Sequence, residues 1–311
     1  MMRLQFHCLA NCLTSIVLRV LEIKKIPPER QLEIIAEYNR MICEQPLDCH
    51  ICIGMSEMYL LLRRCLGIED PLEDIKRLQN AQAMELLPLA KELIARQEDK
   101  LLGALKMSCV GNMIDFAFGN SFEVAPAMSE YMNSDFALSS YPEFLEALSC
   151  ARTITLACDN AGEIIFDRLL ADEIIDWRKR HGIAPAKMRV IVKGSPILND
   201  AMRQDAEAAG LHEVAEIFDT GSEYIGIFVQ KISPAALELL RSSDMIISKG
   251  LANYESICQE EEFAGRIFFL FKAKCKPASD RINVPRHSLV FATDRILRHT
   301  NAALEPLNML K

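Results

Sequence analysis

At 311 residues, half of them hydrophobic and a quarter charged, the chain is globular and long enough for one large domain or two ordinary ones. A net charge of −8 argues against a nucleic-acid partner, and the stretch from Leu9 to Leu21, broken by Asn11, Thr14, Ser15 and Arg19, is too short and polar to span a membrane. No signal peptide is read either, so the expected setting is the cytoplasm, where the 11 cysteines are buried thiols or metal ligands rather than a disulfide framework.

The first 150 residues read as helical. Leu32, Ile35, Tyr38 and Ile42 form a helical stripe between Arg30 and Cys43. Ile51 to Leu66 is an apolar helix ended by Gly67. A long helix from Pro71 to Asp99 is expected to break near Leu87-Pro88, and another follows from Lys100 to Phe118. No strand is expected in this half; Asn133 to Pro142 reads as a loop, and Glu143 to Ala151 as a short helix.

From residue 151 onward strands and helices alternate. Strands are expected at Ile154–Ala157, Met188–Lys193, Glu216–Phe218, Met245–Ser248, Ile267–Lys272 and Leu289–Ala292, with helical patterns between them. Among those helices, one is expected from about Asp200 to Ala209. Alternation of this kind implies right-handed crossovers and a mostly parallel sheet. The expected fold is α/β: an αβα sandwich around a doubly wound sheet at 151–311, with an all-helical subdomain at 1–150.

In such a sheet the C-terminal strand tips share one edge, where ligands bind. The first predicted strand ends in Asp159-Asn160-Ala161-Gly162, with Glu163 at the head of the next helix. Later tips carry Lys193, Asn199 and Asp200; Asp219, Thr220 and Ser222; Ser248, Lys249 and Gly250, with Asn253 and Glu255 in the next turn; and Lys272 and Lys274. Carboxylate and amide oxygens suit a hard divalent cation, while lysines and helix N-termini suit phosphate. Together they describe metal-assisted phosphoryl chemistry. A single polar strand tip is most often a solvated loop, and an Asp-Asn pair there a helix cap; recurrence at successive tips supports the site. No nucleotide-binding glycine loop and no G-x-S-x-G elbow is present. A D-N-A tip lacks the second aspartate of phosphatases that form an aspartyl intermediate, which favours direct attack by water.

Five segments, G-N-M-I-D at Gly111–Asp115, D-N-A-G-E at Asp159–Glu163, V-K-G-S-P-I-L-N-D at Val192–Asp200, S-K-G-L-A-N-Y-E at Ser248–Glu255 and K-A-K-C at Lys272–Cys275, resemble in sequence and order the metal-dependent damage-control phosphatases, first described as domain of unknown function 89. The helical first half with early cysteines resembles their stand-alone microbial subfamily. The resemblance implies hydrolysis of small phosphorylated metabolites, such as sugar phosphates or damaged phosphometabolites, by water activated on one divalent cation, Mg²⁺, Mn²⁺, Co²⁺ or Ni²⁺. It implies Asp159, Asn160 and Asp200 as the cation's ligands, and phosphate contacts from Lys249 and Lys274. Asn112 and Asp115 would line the cleft, Gly250 and Asn253 would belong to the phosphate-binding turn, and Asp115 or Glu163 would orient the water. One departure is Ala201-Met202 where a Thr is expected near the start of the following helix. A non-catalytic metal- or metabolite-binding protein on the same fold is the other reading.

Two cysteine pairs, Cys8 with Cys12 and Cys49 with Cys52, are spaced so that they could hold a structural zinc. Packed, buried thiols are the commoner outcome of such spacing.

Overall fold

A computed structural model describes residues 8–46, 49–111 and 121–297. A π-helical turn, Cys8–Leu13, leads into α1 (Thr14–Ile23), α2 (Pro28–Glu44), α3 (Ile51–Leu66), α4 (Glu73–Ala95), α5 (Lys100–Gly111) and α6 (Ser121–Met132). The chain then alternates through β1 (Phe136–Ser139), α7 (Tyr141–Cys150), β2 (Thr153–Ala157), α8 (Glu163–Arg180), β3 (Lys187–Val192), α9 (Arg203–Ala208) and β4 (Glu216–Asp219). It finishes with α10 (Pro234–Arg241), β5 (Met245–Lys249), α11 (Leu251–Ile257), β6 (Ile267–Lys272), α12 (Lys276–Ile282) and β7 (Leu289–Thr293). Local signals set several boundaries: Pro28 opens α2, where a missing N–H costs nothing, and Gly67 closes α3 at φ 65°. Among the described residues, no helix is long and apolar enough to cross a membrane.

The seven strands form one sheet in the order β1-β7-β6-β5-β2-β3-β4. Strands β2 to β6 run parallel to their neighbours among themselves. β7 pairs antiparallel with β6, and β1 parallel with β7, so those two run the opposite way. The chain winds outward from β2 through β3 to β4, then returns to lay β5 on the other flank of β2 and continues to β6. The strand order therefore reverses between β2 and β5, the place where doubly wound sheets open a crevice beyond their carboxyl ends.

Successive residues of each central strand point to opposite faces, and helices cover both. On one face Ile154, Leu156, Val190, Ile247 and Leu270 pack with residues of α4, α5, α7 and α8. On the other, Ala157, Ile191, Ile246, Phe269 and Phe271 pack with residues of α1, α2, α3, α10 and α11. The fold is the αβα sandwich the alternation predicts. The N-terminal helices contribute to both layers.

Three local expectations are corrected. A strand, β1, forms inside the segment read as a loop; it is only four residues long and pairs with β7 alone at the sheet edge. Between Ser134-Asp135 and Ser140-Tyr141-Pro142, the turn-forming neighbours outweigh so short an alternation. Helix α4 passes through Pro88 without interruption. Met84, whose carbonyl loses its helical donor to the proline, is 47% exposed, so water can serve it. Finally, the helix expected from Asp200 starts at Arg203, because Asp200 and Met202 are held extended by bridges to Asn160 and Lys193.

Candidate active site

Strand β2 delivers Asp159 and Asn160 to the sheet's reversal point, and β5 delivers Lys249 and Gly250 beside them. Asp159 is 8% exposed and Asp200 is 5% exposed. The segment carrying Asp200 is stitched to the Asp159 turn by main-chain bonds: Ala201 N donates to Asp159 O at 2.8 Å, and Ala161 N to Asn199 O at 2.9 Å. Asn160 and Asp200 themselves form an antiparallel bridge. Residues some 40 positions apart are thereby fixed side by side by backbone, before any ligand contributes.

Gly250 makes the approach of the two strand ends feasible. It has φ 80° and ψ 160°, a conformation essentially confined to glycine. A Cβ there would fall onto the Asp159 carboxylate, well inside the 3.0 Å that Cβ atoms keep.

The Asn160 amide nitrogen donates to Asp159 Oδ2 at 2.7 Å and to Glu163 Oε2 at 3.1 Å, which turns its carbonyl oxygen away from both carboxylates. Asp200 Oδ2 is buried with no hydrogen-bond partner; Lys193 Nζ stands 3.6 Å from it. Burial pushes the Asp200 carboxyl up to about 7, with Lys193 opposing and Asp159 adding to the rise. Two carboxylates and an amide on neighbouring, backbone-joined turns, with one buried Asp200 oxygen that makes no hydrogen bond, are residue types that a hard divalent cation takes as ligands. Among the described residues, no three His, Cys, Asp or Glu side chains converge as a ready-made metal cluster, so an amide has to complete the set.

Beneath these residues lies a closed ionic cluster. Lys249 is fully buried, and its ammonium donates to Glu163, to Asp167 Oδ1 at 2.7 Å and to Ser108 O at 3.0 Å. Ser108 Oγ also donates to Asp167 Oδ1, at 2.6 Å. Burial alone would lower the Lys249 pKa, but Asp167 and Glu163 outweigh it and raise it. Burial pushes Glu163 up to about 7 against the pull of Lys249, with Asp159 and Asp167 adding to the rise. Lys249 therefore stays a cation, shared among carboxylates, with its charge turned toward Glu163 rather than toward solvent.

The remaining expected residues are placed as follows. Asn253 is 1% exposed and works as a brace: Nδ2 donates to Lys249 O at 2.7 Å and Cys158 O at 3.1 Å, and Oδ1 accepts from Lys193 Nζ at 3.3 Å. Lys274 is exposed past the end of β6, and Arg286 Nε donates to its carbonyl at 3.0 Å. Asn112 and Asp115 lie outside the described residues. Met202, in place of the expected Thr, offers its sulfur to Lys76 Nζ at 3.7 Å.

All four cysteines of the two sequence pairs are free thiols. Cys52 is buried, with its thiol 3.7 Å from both Glu255 Oε2 and Ala252 O. His50 caps α3 by accepting from Cys52 N at 3.2 Å, and its Nε2 lies 3.1 Å from Glu255 O. Cys49 Sγ donates to His50 O at 3.5 Å. Burial raises the pKa of Cys12, Cys52 and Cys275, and Glu255 adds to the rise in each. These are thiols, not poised thiolates.

Sequence reading missed several of the residues that build the site. Asp167 lies one turn after Glu163 on a buried helix, and that i, i+4 pair of carboxylates was a legible signal. Lys193 was noted at its strand tip but not as the partner of Asp200. Lys272 was likewise noted at its strand tip but not its partner: it donates to Tyr131 OH at 3.2 Å and sits 5.0 Å over that ring. Asn80, on α4, reaches the site from the helical half, and nothing in its local pattern announces it.

Comparison with known proteins agrees with this architecture. The family described as the damage-control phosphatase ARMT1-like domain matches residues 7–290. A damage-control phosphatase of Archaeoglobus fulgidus is 31% identical over 260 residues, covering 82% of this chain and 85% of its own. A damage-control phosphatase of Pyrococcus horikoshii is 28% identical over 291 residues, covering 93% and 97%. An uncharacterized protein of Methanocaldococcus jannaschii is 33% identical over 229 residues, covering 72% and 73%. The crystal structure of a Pyrococcus horikoshii protein of the domain-of-unknown-function-89 family superposes with a TM-score of 0.84 at 25% identity, covering 94% of this chain and 100% of that one. The match of the family model over most of the chain, these relatives and the shared fold together place the chain in the damage-control phosphatase ARMT1-like family.

Proposed function

We propose that this protein is a metal-dependent phosphatase acting on small phosphorylated metabolites, such as sugar phosphates or damaged phosphometabolites. One observation carries the reading: Asp159, Asn160 and Asp200 are gathered by backbone at the sheet's reversal point, with Asp200 Oδ2 buried and without a hydrogen bond, its ion-pair partner Lys193 Nζ lying 3.6 Å away. The family and its relatives named as phosphatases support it. Asp159, Asn160 and Asp200 would hold one divalent cation, Mg²⁺, Mn²⁺, Co²⁺ or Ni²⁺. When bound, such an ion polarises a phosphoryl oxygen and makes water a better nucleophile.

The chain's own groups divide the remaining work. Asp159 and Asp200 supply negative charge, and Asn160 supplies a neutral oxygen fixed by its donations to Asp159 and Glu163. Both Glu163 oxygens are engaged, one by Lys249 and one by Asn160, so Glu163 orients the amide and holds the local charge balance. Lys249 counters two buried carboxylates, Glu163 and Asp167, from below. Exposed Lys274 and half-buried Lys272 present cations at the edge where a phosphate would enter. Asp115 stays the candidate for orienting water.

The test is hydrolysis of p-nitrophenyl phosphate with Mn²⁺, Co²⁺ or Mg²⁺. Asp159→Ala should abolish the metal-dependent rate; full retention sinks the proposal. Tight metal binding without any turnover, across a panel of sugar phosphates, would favour a non-catalytic binding protein.

A further inference from the structure

We infer that Asn80 is a positioning residue that sets the spacing between the two halves of the metal site. The inference rests on the metal reading above and extends it to a residue of the helical half. Asn80 lies on α4, far in sequence from either ligand loop, yet its side chain ties both of them. Gly162 N, two residues past Asn160, donates to Asn80 Oδ1 at 2.7 Å. Asn80 Nδ2 donates to Asp205 Oδ1 at 2.6 Å. Asp205 Oδ2 in turn accepts from Met202 N, two residues past Asp200, at 2.8 Å. One amide thus closes a bridge from the Asp159-Asn160 turn to the Asp200 segment.

The same face of α4 carries a second contact one turn earlier. Lys76 is 1% exposed, bonded to Asp70 Oδ2 at 2.5 Å and to the Met202 sulfur at 3.7 Å. It is also among the charges that pull down the Asp200 carboxyl. Helix α4 therefore packs onto the Asp200 loop through a paired lysine and onto both loops through Asn80. The geometry needs both ends of an amide at this position, a donor toward Asp205 and an acceptor toward Gly162. Alanine supplies neither, and aspartate supplies only the acceptor while facing another carboxylate.

Outer residues that orient metal ligands typically change metal affinity by about 10–100-fold when removed. The experiment is calorimetric titration of metal-free protein with Mn²⁺, alongside the Mn²⁺ dependence of phosphatase activity. Asn80→Ala should weaken Mn²⁺ binding by roughly tenfold or more, and most of kcat should return at saturating Mn²⁺. Asp205→Asn should weaken it in the same direction, and the double variant should be little worse than the larger single loss, as a shared path requires. Wild-type Mn²⁺ affinity in Asn80→Ala, even with a lowered melting temperature, overturns the inference and leaves Asn80 a purely structural residue. If Asn80→Ala fails to fold, Asn80→Asp and Asp205→Asn carry the same comparison, and wild-type affinity in both overturns it. Asp159→Ala binding Mn²⁺ as tightly as wild type would instead refute the metal reading itself, and this inference with it.

Discussion

Replacing Lys249 with methionine probes the cluster beneath the site. The substitution keeps length and removes charge, leaving Glu163 and Asp167, both fully buried, without their common cation. Breaking a buried ion pair by deleting one partner costs about 3–5 kcal/mol, because the other charge stays desolvated. For a chain of 311 residues the unfolding entropy is roughly 0.65 kcal/mol/K, so the melting temperature should fall by about 5–8 °C at pH 8. The loss should shrink in acid. Carboxyls deprived of Lys249 hold protons more tightly folded than unfolded, so the folded state binds the excess protons. Stability then falls as pH rises above the ordinary carboxylate range and is least affected below it. Scanning calorimetry at pH 5 and pH 8 measures both effects, and adding Asp167→Asn to Lys249→Met should recover part of the loss. An unchanged melting temperature at pH 8, or a larger loss at pH 5 than at pH 8, would refute the reasoning.

Other expectations follow from the same geometry. Gly250→Ala should cost roughly 1–3 kcal/mol from backbone strain and displace Asp159; thermal scans with and without Mn²⁺ should show both lower stability and no metal response. In metal-free protein, burial raises Asp200 and Glu163 to about 7, so stability should decline as pH climbs from the ordinary carboxylate range to about 7. Added Mn²⁺ should therefore raise the melting temperature more at pH 8 than at pH 5.5, and equal shifts at both would count against a site built on these acids. Cys52, 0% exposed and directed at Glu255, should resist thiol reagents until the protein unfolds, and elemental analysis should find no stoichiometric zinc. One zinc per chain, lost in Cys52→Ser, would reverse that expectation.

Much of this molecule was legible in its sequence. The strands of the second half announced themselves as short apolar runs between turn residues, and parallel order followed from the helices separating them. That sufficed to bring Asp159, Asp200 and Lys249 to one edge. Burial and direction within the edge were not legible. Lys249 and Lys274 look equivalent as strand-tip lysines, yet one is sealed among carboxylates and the other is exposed. The Lys249 ammonium meets Glu163 and Asp167 of α8 and the Ser108 carbonyl of α5, tertiary contacts no local pattern encodes. The extended run Asp200–Met202 was read as helix because its residues suit one; bridges to Asn160 and Lys193 override that preference. β1 was hidden because a four-residue edge strand carries almost no periodic signal.

The reversal between β2 and β5 also orders events in time. Ile154 pairs with Met245 across a sequence gap spanning α8, β3, α9, β4 and α10, among the more distant pairings in the sheet. Pairings of such separation form slowly and late. Asp159 and Gly250 meet only once that pairing closes. A cation held there would consequently do little to speed folding, and would act as a latch that slows escape from the native state. Stopped-flow refolding with Mn²⁺ should leave the folding limb almost unmoved and depress the unfolding limb.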